Sequence, residues 1–231
     1  MKPLTELLFS NTPDSPCVIV LGGGPSLMRY RDQIIHFSQH HRCIVLSANY
    51  EHDWLPSDYI LYKARHKLND AVNDPPKCKN LIIRREMSPV VERNLEKLAG
   101  YNFYCVCNPN AEKKIKPKPI EQEFTKDGRF LCGELGNAGF TALAVSAVFR
   151  PAKVLAVGFD GPEPCLTFKY DFQGQKIPHS EKQRHRKAFR SRYLSRIIIG
   201  FLRSRRITVY AYRGDRFWGI DKNLFGIKEI R

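Results

Sequence analysis

VIVLGGGPSL, residues 18–27, runs from four apolar residues into three glycines and then Pro25-Ser26-Leu27. An unbroken apolar run reads as a strand covered on both faces, the kind found in parallel sheets. Glycines at its end allow a tight turn or a close approach of backbone to phosphate. Neither common phosphate loop fits, since the last glycine of GxGxxG would fall on Leu27 and no Gly-Lys-Ser/Thr follows. Pro25 suits a first helical turn, where Ser26 offers a hydroxyl. The turn reads equally as punctuation that serves packing alone.

Working outward, similar runs recur at CVIVLG (17–22), CIVLSA (43–48), YILYK (59–63), NLIIR (80–84), FYCVC (103–107), KVLAVG (153–158) and ITVYAY (207–212). Helical patterns fall between some of them, at 25–38, 89–99, 138–149 and 180–204. Strands alternating with helices predict an α/β fold, a single Rossmann-like domain over 1–231 with a doubly wound, mainly parallel sheet and helices on both faces. Residues 1–15 form an N-terminal extension, and two long irregular segments, 108–130 and 161–178, are expected to act as a lid.

Bulk properties narrow the class. The chain has 231 residues, 42% of them hydrophobic, enough for a substantial core. Its 38 Lys and Arg against 23 Asp and Glu give a formal charge of +15, which draws polyanions of any kind. Seven cysteines without framework spacing fit a reducing compartment. Cys105-x-Cys107 with Cys132 lacks zinc-site spacing, and no metal is expected. No signal-peptide core or membrane-spanning run is present, so a cytoplasmic protein, peripheral on the inner membrane face at most, is expected.

Three further features bear on chemistry. In GELGNAGFTALAVSAVF (133–149), Asn137 caps a small-residue helix whose start, Asn137-Ala138-Gly139, is a second anion site or a packed internal helix. Asp160, in GFDG at a strand end, reads equally as a ribose, metal or catalytic group and as a turn former. His179, before a helix begun by Ser180, is a general base only if the fold brings it to the site.

Taken in order, GGGPSL, LSANY, NAGFTALAVSAVF with KVLAVGFDG, PHSEK and ITVYAYRGD resemble the bacterial lipooligosaccharide sialyltransferase family over residues 17–215. They resemble more loosely the Gly-Pro-Ser-Leu enzymes around the flagellin glycosylation factors and the archaeal pterin pyrophosphokinases. The resemblance implies nucleotide binding by Gly22, Gly23, Gly24, Pro25, Ser26 and Asn49, with Asn137, Ala138 and Gly139 facing the phosphate. It implies His179 as general base of an inverting, metal-free transfer from a nucleotide sugar, with no resident cofactor. The chain departs from the family at three places. Gly23 replaces a nucleotide-binding Asn, Lys63 replaces another, and the two phosphate-binding tyrosines would fall near Pro162 and Phe168, with Tyr170 close enough to substitute. Lys63 and Arg65 would instead give the leaving phosphates cationic support, which suits a nucleoside diphosphate donor in place of a CMP-sugar.

Residues 182–206 hold ten Lys or Arg and no acid. Phe189, Tyr193, Ile197 and Phe201, with Leu194 and Ile198 beside them, form an apolar stripe that packs on the sheet and leaves the cations outside. Arg184, Arg186, Lys187 and Arg190 are thus expected to meet an anionic partner, a glycolipid-bearing membrane face or DNA. Tyr210, Tyr212, Phe217 and Trp218 are stacking candidates or core. The leading expectation is a nucleotide-sugar-dependent glycosyltransferase acting on a glycan or glycolipid, or on phage-type modified DNA. The alternatives are an ATP- and magnesium-dependent pyrophosphokinase-like phosphotransferase, with Asp160 as metal ligand, and a non-catalytic nucleic-acid-binding protein. A homo-oligomer is left open.

Overall fold

The structure, a computed structural model, describes residues 2–3, 17–24, 26–107, 130–131, 138–159, 168–170, 176–178 and 197–211. In chain order the elements are β1 (Lys2–Pro3), β2 (Cys17–Leu21), α1 (Ser26–Arg29), α2 (Arg31–His40), β3 (Cys43–Ala48), β4 (Tyr59–Tyr62), α3 (Arg65–Asn73) and β5 (Asn80–Arg84). There follow α4 (Ser88–Glu92), β6 (Asn102–Cys107), β7 (Phe130–Leu131), α5 (Ala138–Val145), β8 (Lys153–Val157), β9 (Phe168–Tyr170), β10 (Lys176–Pro178), a helix over 197–204 and β11 (Thr208–Ala211).

Nine strands form one sheet in the order β1-β6-β5-β4-β3-β2-β8-β11, with β7 also on β6, and every pairing in it is parallel. β1 pairs at Tyr104 and Cys105 of β6, and β7 at Val106 and Cys107, so the two short strands share one edge. The expected α/β class with a doubly wound parallel sheet is therefore what the chain adopts. β9 and β10 pair antiparallel with each other, placing a hairpin inside 161–178, a segment expected to be irregular.

Side chains alternate across the sheet, and both sets are apolar, which is why the strands read as continuous hydrophobic runs. Val18, Val20, Leu46, Ala48, Leu61, Ile82, Val154 and Ala156 face α5, the 3-10 turn Ser146–Phe149 and the 197–204 helix. On the other face Ile19, Leu21, Val45, Leu155 and Val157 meet Leu27 and Ile34, the latter from α2. Ile60, Leu81, Ile83 and Phe103 meet Leu68, Val72, Val90 and Val91 from α3 and α4. Each such fully buried aliphatic side chain contributes about 1.5–3 kcal/mol.

Helix boundaries differ from expectation. The 25–38 helix is broken at Tyr30 into α1 and α2, and 89–99 holds helix only in α4, followed by turns. The 138–149 helix tightens into a 3-10 turn after Val145. α3 was not expected at all. Of 180–204 the described part, 197–204, is helical, and 180–196 lies outside the described residues. Among the described residues no helix is long and apolar enough to cross a membrane.

Candidate nucleotide site at the carboxyl end of the sheet

From β2 the chain adds β3, β4, β5 and β6 on one side, then returns through α5 to place β8 on the other. The order reverses between β2 and β8, and the carboxyl end of such a switch point is where open α/β sheets form their binding crevice. β2 ends there in Gly22-Gly23-Gly24, and β8 ends in Gly158.

The two ends are clasped through backbone. Gly22 N–H donates to the Val157 carbonyl at 2.7 Å, and Gly24 N–H to the Gly158 carbonyl at 2.9 Å. Gly158 N–H donates back to Ser26 Oγ at 3.1 Å. A Cβ on Gly22 would stand 2.5 Å from the Gly158 oxygen, closer than any real Cβ contact. Gly158 lies at φ +73°, and a Cβ there would stand 3.0 Å from the Gly22 carbonyl carbon. Both glycines are thus required by close approach, whereas a Cβ on exposed Gly23 would meet nothing within 4 Å. The missing Asn at position 23 is a missing side chain and not a blocked one. Ser26, whose hydroxyl was expected at the first helical turn, is buried, and that hydroxyl accepts the Gly158 amide.

The neighbouring strand ends bring two more expected residues together. Asn49, past β3, is left-handed at φ 69°, a conformation asparagine tolerates better than most residues. Its N–H donates to the Leu61 carbonyl at 2.8 Å, and its Oδ1 accepts the Lys63 N–H at 3.4 Å. Asn49 and Lys63, half-buried, therefore stand side by side on the ends of β3 and β4. Arg65 opens α3 next to them, and Arg84 and Arg85 follow at the end of β5. The Lys67 ammonium lies 4.8 Å from the Tyr50 ring. The Tyr50 hydroxyl, and then Asp70, hold its proton above the usual lysine value.

Loop 49–58 has its own anchor. The Glu51 carboxylate accepts the N–H groups of Lys77 and Cys78 at 2.6 and 2.9 Å, fixing the segment that carries Asn49. His52 in that loop is held below the ordinary imidazole value by burial, with Asp53 opposing the shift. The sequence reading assigned no role to Glu51 or Gly158. The signal for Gly158 was present as a second glycine at a strand end, in KVLAVG.

α5 ends, through the 3-10 turn, three residues before β8 begins, so it runs antiparallel to the strands and starts at their carboxyl ends. Ala138 at its first turn is buried in the core beside β2, β3 and β4, and Gly139 is half-buried. Pro25, Asn137, Asp160, His179, Arg184, Arg186, Lys187 and Arg190 lie outside the described residues, and Tyr170 is placed only as the end of β9. Among the described residues no group of three or more His, Cys, Asp or Glu is arranged to hold a metal.

The switch point thus gathers the glycine turn, with the Gly22 and Gly24 amides bonded across to the end of β8 and Gly23 exposed, beside the polar and cationic groups Asn49, Lys63 and Arg65 at the adjoining strand ends. In comparison with known proteins the chain matches no family model and no curated protein.

Proposed function

We propose that this chain is a nucleotide-sugar-dependent glycosyltransferase whose donor sits over the clasped glycine turn. One observation carries the reading: Gly22 and Gly158 meet backbone to backbone at the switch point, with Asn49 and Lys63 on the next strand ends. Packing demands glycine at 22 and 158, while Gly23 faces open space, which suits a ligand laid on bare backbone. The ordered motifs that resemble the sialyltransferases supply the reaction class.

In this reading the acceptor hydroxyl attacks the anomeric carbon and gives its proton to His179. The bond from that carbon to the nucleotide phosphate breaks, and the phosphate leaves with the electron pair. Lys63 and Arg65 supply positive charge for it, as Tyr170 would supply a hydrogen bond. A CMP-sugar and a nucleoside diphosphate sugar both fit, and the acceptor is a glycan, a glycolipid or modified DNA.

The test incubates the purified chain with CMP-, UDP- and GDP-sugars and measures released nucleotide. Release with one of them, lowered about 10²- to 10⁴-fold in a folded His179→Ala variant, is the expected result. Full release by that variant removes the proposed base. Turnover of ATP to AMP that requires magnesium, with no sugar nucleotide consumed, replaces the reading with phosphotransfer.

A further inference from the structure

At the opposite end of the sheet, two helix ends carry arginine where the backbone favours glycine. The turn after Phe149 puts Arg150 at φ 48°, ψ 47°, with its N–H on the Ala147 carbonyl at 3.0 Å. The 197–204 helix closes with Arg206 N–H on the Arg203 carbonyl at 2.8 Å and Ile207 N–H on the Leu202 carbonyl at 3.0 Å. That is a Schellman-type cap, and its left-handed residue, Arg206 at φ 61°, occupies the place usually taken by glycine. A cation meets the negative end of a helix equally well from a right-handed position in the last turn, so the dipole does not explain either choice.

The two caps belong to one row. Thr208 N–H donates to the Ala152 carbonyl at 3.0 Å, joining the turn before β11 to the turn before β8. Lys153 stands in register with Thr208 on one side and Cys17 on the other, and Cys17 N–H donates to the Arg42 carbonyl at 3.3 Å. Arg42, Arg150, Lys153, Arg203, Arg205 and Arg206 are thus set along the starts of β3, β2, β8 and β11, and all are exposed. Four strands at the usual spacing span roughly 14 Å. The turns at 41–42, 150–152 and 205–207 carry no acid; Asp14, ahead of β2, lies outside the described residues, and Asp58, beside the row before β4, accepts the Val45 N–H at 2.8 Å.

We propose that this row grips the phosphodiester backbone of double-stranded nucleic acid. Five of its six cations are arginines, whose planar fork matches phosphate oxygens. Rigid caps in an unfavourable conformation fit phosphates held at fixed spacing, whereas the headgroups of a fluid bilayer move to meet any cation. Single strands are bound by rings on which bases stack. Among the described residues the rings beside the row offer no stacking platform: Phe149 is buried with half-buried Tyr59 packed on it, Phe201 is half-buried with the Arg205 guanidinium 5.7 Å from it, and His41 leans on Phe37. The row lies a full strand length from the glycine turn, so it anchors the protein on the polymer without presenting a reacting atom. It stands whether or not the donor reading does.

The test measures anisotropy of a labelled duplex of about 25 base pairs against salt. Its variant is Arg150→Gly/Arg206→Gly, which places in both caps the residue the backbone prefers and so keeps the fold. Each phosphate contact contributes roughly 0.9 to the log-log salt slope. The variant is expected to lose about 1.8 from that slope and so roughly 60-fold in affinity near 0.1 M salt. A charge-matched Arg93→Ser/Lys97→Ser control, from turns beside β6, is expected to change the slope little. An unchanged slope in the glycine variant overturns the proposal, as does an equal loss in the control. A loss confined to phosphatidylserine vesicles, with duplex binding intact, assigns the row to a membrane and overturns it too.

Discussion

At the carboxyl end of the sheet the left-handed and close-packed positions are held by Gly22, Asn49 and Gly158; at the amino end Gly100, before β6, is left-handed as well, but the turns before β8 and β11 put Arg150 and Arg206 at such angles. At the first end residue and backbone agree, because bare or small polar residues adopt those angles cheaply and let two loops touch. At the Arg150 and Arg206 turns they disagree, and a disagreement at two neighbouring turns points to the side-chain head as the reason. With the row as proposed, the same backbone angle serves packing at Asn49 and Gly158 and recognition at Arg150 and Arg206.

The strongest way to break this contrast is Gly22→Ala. Its new Cβ would stand 2.5 Å from the Gly158 oxygen, so the clasp must open, and we expect a loss of about 3 kcal/mol or more in urea unfolding. Gly23→Ala, with open space around it, is expected to change stability by less than about 1 kcal/mol. Equal effects at the two positions would show that the clasp does not constrain the turn. Ser26→Ala comes next: it leaves the buried Gly158 N–H without its acceptor and should cost about 1–2 kcal/mol by the same measurement. At the amino end the sign reverses. Arg150→Gly/Arg206→Gly relieves two left-handed caps, and its melting temperature should equal or exceed that of the parent. A clear fall would mean that the arginines hold the fold, not a partner.

The smallest expected effect concerns Asp58. Burial raises its carboxyl above the ordinary value, against the opposing pull of the Val45 N–H. The folded state thus holds that proton more tightly than the unfolded chain does. The resulting stabilisation is complete in acid, below the ordinary carboxyl value, and is lost as pH rises through the raised one. Asp58→Asn keeps an acceptor for Val45 without the charge. The variant should melt higher than the parent near pH 7, with the gap closing toward about pH 4. A gap independent of pH would place the effect elsewhere than in the charge.

How legible this was in the chain differs between backbone and site. The runs 43–48 and 80–84 match β3 and β5 at both ends, because strands covered on two faces show as short, mostly apolar runs, bounded in β5 by half-buried Asn80 and Arg84. α3 escaped notice because its sequence, RHKLNDAVN, is mostly polar and buries just Leu68, Ala71 and Val72. Those three positions keep helical spacing, but the apolar stripe is too thin to stand out from a loop. At the site, Gly22 and Asn49 were visible as strand-end residues, each beside its own apolar run. The need for Gly158 is a relation between two segments far apart in the chain. The glycine itself stood in view at the end of KVLAVG, but no local pattern displays its pairing with Gly22, as none displays that the Ser26 hydroxyl accepts the same residue's amide. Arg150 and Arg206 were visible only as charge, since their left-handed angles arise where a helix must turn sharply into a parallel strand.

The three hydrogen bonds that tie Gly22, Gly24 and Ser26 to Val157 and Gly158 also bear on the thermodynamics of ligand entry. A turn already locked in one conformation has little configurational entropy left to surrender, so in the proposed donor site the free energy of a phosphate contact would go into affinity and not into ordering the loop. Association at this turn should then follow simple diffusive kinetics, with the rate set by encounter and by charge and not by a preceding rearrangement of the glycines.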